Sequence, residues 1–166
     1  MPPRWKQVHK TPLHFDSVEE ALGPTRQAAF RSLARREYGA NELLERLCLK
    51  GFPRQAVEFV IKQLQEKDLQ SDERFVEVFV RSRKSRGQGP VRIRADLQQL
   101  SISEALITHY LDAENEWGAL AKQVRDKRFG VLTKISREEK ARQQRFLYYR
   151  GFSMEQINVA FEQTEQ

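Results

Sequence analysis

Cysteine is nearly absent from the chain, with Cys48 the only one in 166 residues. No intrachain disulfide and no cysteine-based zinc cluster can form, and such a chain is expected in a reducing cytoplasm. Glycine is scarce as well, at 8 residues, which argues against a turn-rich β architecture. No apolar run approaches the roughly 20 residues needed to span a bilayer. The stretch Met1–Lys10 brings charge and prolines but no apolar segment, so neither a signal peptide nor a membrane anchor is expected.

Constellations that carry chemistry are missing too. Histidine occurs three times, as His9, His14 and His109. His109 precedes Asp112 by three positions and Glu116 by seven, a metal-compatible spacing that a solvated helix face produces far more often. Cys48 lies between Leu47 and Leu49 in an amphipathic stretch, the place of a packed thiol rather than a nucleophile. The acid pairs Asp72-Glu73 and Glu138-Glu139 fall in first helical turns, where the helix dipole accounts for them. Gly87 and Gly89 are followed by Pro90 rather than by a lysine and a hydroxyl residue, so a phosphate-cradling loop is not expected. The reading is of a non-enzymatic chain with no metal or cofactor.

What is present is basic charge, unevenly placed. Lysine and arginine total 29 against 23 acids, a net charge of +6. Residues 1–40 carry +3, 41–80 carry −2, 81–150 carry +8 and 151–166 carry −3. Arg81, Arg83, Lys84, Arg86, Arg92 and Arg94 follow one another with no acid before Asp96. Such a surplus favours polyanions or acidic protein surfaces as partners.

The chain also repeats itself at a period of 50. Leu47, Leu97 and Leu147 correspond, as do Phe52, Ile102 and Phe152, then Val57, Ile107 and Ile157, then Ile61, Leu111 and Phe161. Pro53, Ser103 and Ser153 align as helix starters. Upstream, Gly39, Gly89 and Gly130 each close a short helix, the last out of register because the third repeat holds about nine extra residues. Apolar spacing predicts helices throughout. The first starts after Gly23-Pro24 and buries Phe30, Leu33, Ala34 and Tyr38, and the second runs from about Asn41 with Leu43, Leu44 and Leu47 inside. In the second repeat Phe75, Val76, Phe79 and Val80 form one apolar stripe and Ile93 and Leu97 another. In the third, Trp117, Leu120, Ala121 and Val124 are buried, and capping boxes open at Ser136-Glu139 and Ser153-Gln156.

The expected fold is all-α: three tandem three-helix, helix-turn-helix-like repeats in an elongated, curved array. Residues 1–22 are read as a flexible tail, 23–69, 70–115 and 116–166 as the repeats. Base readout in a DNA major groove is disfavoured, because the segment Ser103–Asp112 is apolar, with Glu104 and no arginine. Backbone contact by the basic residues remains open. The candidate binding residues are Arg81, Arg83, Lys84, Arg86, Arg92 and Arg94, extended in the third repeat by Lys127, Arg128, Arg142, Arg145 and Arg150.

Three segments carry a resemblance. They are Ser71-Asp72-Glu73-Arg74-Phe75, then Gly89-Pro90-Val91-Arg92-Ile93-Arg94-Ala95-Asp96-Leu97, then Arg145-Phe146-Leu147-Tyr148-Tyr149-Arg150-Gly151-Phe152. In order and spacing, over residues 25–162, the chain resembles the RecX family of bacterial regulators of RecA recombinase. The resemblance implies a monomer that binds RecA in the groove of its filament on single-stranded DNA and inhibits recombinase, ATPase and coprotease activities. DNA contact would come through the filament. Ser101 departs from the glycine usual in the family, and Gly39 stands where a capping residue is usual, which passes capping to Asn41. The alternatives are a stand-alone nucleic-acid-binding module contacting the phosphate backbone, and a scaffold with no nucleic-acid role.

Overall fold

The computed structural model describes residues 13–113, 116–131 and 134–162. Among them every regular element is an α-helix. The first three are α1 (Val18–Leu33), α2 (Ala40–Leu49) and α3 (Arg54–Glu66), followed by α4 (Asp72–Ser85), α5 (Pro90–Gln99) and α6 (Glu104–Asp112). The last three are α7 (Trp117–Phe129), α8 (Arg137–Tyr149) and α9 (Met154–Glu162). The third helix of each trio starts at Arg54, Glu104 or Met154, fifty residues apart, as the period requires. Two compact units result, one within Met1–Phe75 plus Leu100–Ile102, the other Val76–Gln99 plus Ser103–Gln166.

In the first unit α1 pairs with α3, and α2 closes against both. The helix begins at Val18, capped by the Ser17 hydroxyl accepting from the Glu20 N–H, earlier than the start expected after Gly23-Pro24. Residues 18–22, assigned from sequence to the tail, are therefore helical, and residues 1–12 lie outside the described residues. The buried face of α1 is Ala21, Thr25, Ala28, Ala29 and Ser32, whereas the expected core residue Phe30 is 44% exposed and Ala34 is exposed. Small side chains there let the backbones of α1 and α3 approach, and α3 supplies the bulk through Val57, Val60, Ile61 and Leu64. Leu43, Leu44 and Leu47 complete that core as expected.

Capping at α2 is not local. Asn41 does not cap it; the Asp72 carboxylate accepts from the Ala40 N–H at 2.8 Å, while the Asn41 amide donates to the Ser101 hydroxyl. Helix ends at Gly51, Gly87 and Gly151 close with the paired backbone bonds that a left-handed residue allows, for example Phe152 N–H to the Leu147 carbonyl and Gly151 N–H to that of Tyr148. Ser101, fifty residues from Gly51 and Gly151, holds the same left-handed conformation at φ 58° without being glycine.

In the second unit α7 pairs with α9, and α8 packs on both. Trp117 and Ala121 are buried as expected, Leu120 and Val124 only partly. The Ser153-Gln156 box forms in both directions. At Ser136 only the hydroxyl side forms, because the Glu139 carboxylate turns forward to Arg142 and Gln143. The α5 start meets the end of α8 backbone to backbone. Gly89 N–H donates to the Arg150 carbonyl at 2.8 Å and Val91 N–H to that of Gly151 at 3.0 Å.

Candidate functional site

That backbone junction fixes the end of α8 beside α5, and the end of α4 comes to the same place. Gly87, at φ 72°, ends α4 against Val124 of α7. Arg150, the C-cap of α8, lays its guanidinium 5.2 Å from the Phe146 ring centroid and donates to the Arg86 carbonyl at 3.1 Å. A cleft of about 590 Å³ opens between these three helix segments. Its floor is Leu120, Val124 and Phe146, and its walls carry Lys84, Arg86, Lys127, Arg128 and Arg150, with no carboxylate among the lining residues. The α4 and α7 bases lie in or just beyond the last turns of their helices, where cations are favoured by the negative end of the dipole. Folding therefore supports basic side chains at these helix ends.

The cleft gathers five of the eleven candidate residues. Lys84 also stands over the Trp117 ring at 5.2 Å. Arg142 lies alongside: it and Arg128 both approach the Phe129 ring, which stacks edge-on against Phe146. Arg142 also bonds Glu139. Arg145 and Arg92 are exposed, with no ion-pair partner among the described residues.

Three candidates are engaged elsewhere. Arg81 pairs with Glu77 at 2.7 Å one turn back on α4. Arg83 lies over Phe79 and meets Asp96 at 3.5 Å. Arg94 is held by Glu104, Thr108 and Asp112. These two acids of α6 follow Arg94 by ten and eighteen residues, so the acid-free run in sequence is not acid-free in space. A fourth base of the third repeat, Arg125, is 3% exposed; it donates to the Ala160 carbonyl at 2.7 Å and pairs with Asp126. It ties α7 to α9 rather than contributing surface charge.

Burial pushes the Cys48 thiol above its ordinary range, away from the thiolate a nucleophile needs. His109 is exposed and meets Tyr110 edge-on, while Asp112 is turned to Arg94. Among the described residues no helix is long and apolar enough to cross a membrane.

Fold and cleft together define the class: an all-α protein of tandem three-helix repeats. Family models for the first, second and third three-helix domains of RecX match residues 26–64, 71–111 and 114–161. The regulatory protein RecX of Halorhodospira halophila is 45% identical over 136 residues, 81% of this chain and 84% of its own. That of Chromohalobacter salexigens is 40% identical over 145 residues, 87% and 93% of the two chains. The crystal structure of RecX from Lactobacillus salivarius, at 17% identity, superposes with a TM-score of 0.76 over 89% of this chain and 98% of its own. The chain belongs to the RecX family of regulatory proteins.

Proposed function

We propose that this chain is a non-enzymatic, monomeric, cytoplasmic regulator that binds the RecA recombinase on single-stranded DNA and inhibits its recombinase, ATPase and coprotease activities. Family membership supports the partner. The observation that carries the contact is the cleft of Lys84, Arg86, Lys127, Arg128 and Arg150 without a carboxylate in its lining. Arg86, Lys127 and Arg128 are exposed there and can meet phosphates or acidic side chains. Lodged in the filament groove, the cleft restrains the filament by occupancy, which needs no catalytic group.

Co-sedimentation with RecA filaments on single-stranded DNA, beside naked strand at the same salt, tests the reading. The native chain should pellet preferentially with filaments and lower their ATP hydrolysis. The triple variant Arg86→Glu, Lys127→Glu, Arg128→Glu should lose both while keeping its helical circular dichroism. Equal binding to filament and bare strand, with ATP hydrolysis unchanged, would instead mark a stand-alone nucleic-acid-binding module.

A further inference from the structure

The solvent face of α8 carries a feature that the fold does not require. Arg142, Arg145, Tyr148 and Tyr149 are all exposed along it, at helical spacing. Tyr148 is 62% and Tyr149 74% exposed, with ring centroids 6.2 Å apart and planes at 70°. The sister helix α5 supplies an internal control. Leu97 and Leu147 are each fully buried at matching positions, yet the two residues that follow are Gln98-Gln99 on α5 and Tyr148-Tyr149 on α8. An outward polar pair therefore satisfies this helix end, and the aromatic pair answers to something other than packing.

Charge around the tyrosines selects the occupant. Arg145 precedes them by one turn, and Arg92 lies exposed against the Gly151 turn that follows them. Through Arg142, Phe129 and Phe146 the face continues into the basic cleft. The acids of α8, Glu138 and Glu139, sit in its first turn, and Glu139 is bonded to Arg142 and Gln143. Exposed aromatic rings beside a basic track are the ingredients of sequence-tolerant single-strand binding: arginines hold phosphates and rings stack on bases.

We propose that Tyr148 and Tyr149 form a stacking platform for the bases of single-stranded DNA, flanked by Arg142, Arg145 and Arg92 as phosphate contacts. The platform goes beyond the regulatory reading and does not need the recombinase. It is therefore tested on naked oligonucleotides, where failure of the RecA reading has no bearing. By fluorescence anisotropy, the native chain should bind an oligothymidylate about tenfold or more tighter than an abasic strand of equal length, the expectation for base stacking. The double variant Tyr148→Gln, Tyr149→Gln, which copies α5, should lose that preference while binding the abasic strand as before. Tyr148→Phe with Tyr149→Phe should keep it. Equal binding of both strands by the native chain overturns the proposal without any variant. It is equally overturned if the glutamine variant binds oligothymidylate normally but no longer pellets with RecA filaments, which would give the tyrosines to a protein surface.

Discussion

Gly39 in the first unit and Gly89 in the second stand fifty residues apart, before α2 and α5, and meet their neighbours differently. A Cβ on Gly39 would touch the side chains of Ile102 and Phe75 at 3.2 and 3.3 Å, whereas on Gly89 it would stand 2.3 Å from the Gly151 carbonyl oxygen. One junction is made by side chains, which yield, and the other by backbone, which does not. Their surfaces differ in the same sense. In the first unit Arg36 binds Glu42, Arg54 lies near Glu45 and Glu58, and Arg74 binds Glu37 and Asp68. Burial pulls the Arg36 guanidinium down, but the Glu42 carboxylate and Tyr38 outweigh it and hold the group above its ordinary value. In the second unit Arg86, Lys127 and Arg128 stand exposed on a frame joined backbone to backbone, in a cleft whose lining holds no carboxylate. The contrast separates charge that serves the fold from charge held open for a ligand.

The widest break in that contrast is Gly89→Ala. Overpacking against backbone should cost about 3 kcal/mol or more, whereas Gly39→Ala should change stability by less than about 1 kcal/mol, since lost freedom in the unfolded chain offsets the tight contact. Thermal unfolding followed by circular dichroism compares the two directly. Equal effects would mean that both junctions are equally soft.

Next comes Arg125→Met, which removes the bond to the Ala160 carbonyl and leaves Asp126, only 20% exposed, without its charge partner. The expected loss is about 2 to 3 kcal/mol, read from urea unfolding. A near-zero loss would mean that Arg125 does not tie α7 to α9. Much of the fold was legible because Leu47, Leu97 and Leu147 recur at fifty and each marks a buried helix face. Arg125 continues the buried Trp117–Ala121 stripe at a spacing of four, a place in the pattern that its charge conceals. The α1 face was missed for a related reason: Ala21, Ala28 and Ala29 bury little area each, so Phe30 looked like the better core residue. The basic run was visible in sequence; the sorting of its members was not, since the partners of Arg83 and Arg94 come from α5 and α6.

Charge removal without reversal sharpens the surface half of the contrast. Arg86→Ala, Lys127→Ala and Arg128→Ala together should weaken filament binding about tenfold or more and lower the slope of log affinity against log salt by up to about three, one per lost phosphate contact. Stability should move by less than about 0.5 kcal/mol, because these side chains are not packed into the core. Arg54→Ala in the first unit, which breaks only exposed pairs with Glu45 and Glu58, should change neither affinity nor slope. A similar salt slope for both variants would show that the partner senses net charge rather than the cleft.

The smallest effect lies at Ser101, where the first unit's junction departs from the second's. Its φ of 58° places a side chain in the left-handed region that Gly151 occupies at 92°. Ser101→Gly removes that strain and also the bond from the Asn41 amide, which is exposed and weak. The net expectation is a gain of about 0.5 to 1 kcal/mol, the size of a left-handed residue's penalty less one surface hydrogen bond. The double variant with Asn41→Ala isolates the strain, because the bond is then absent from both partners of the comparison. If Ser101→Gly still stabilises in that background, the left-handed turn is held against its preference by the packing of Ile102, which is buried beside Gly39. A loss of stability on Ser101→Gly with Asn41 in place, and none in the Asn41→Ala background, would mean that the Asn41–Ser101 bond, rather than Ile102, sets the turn.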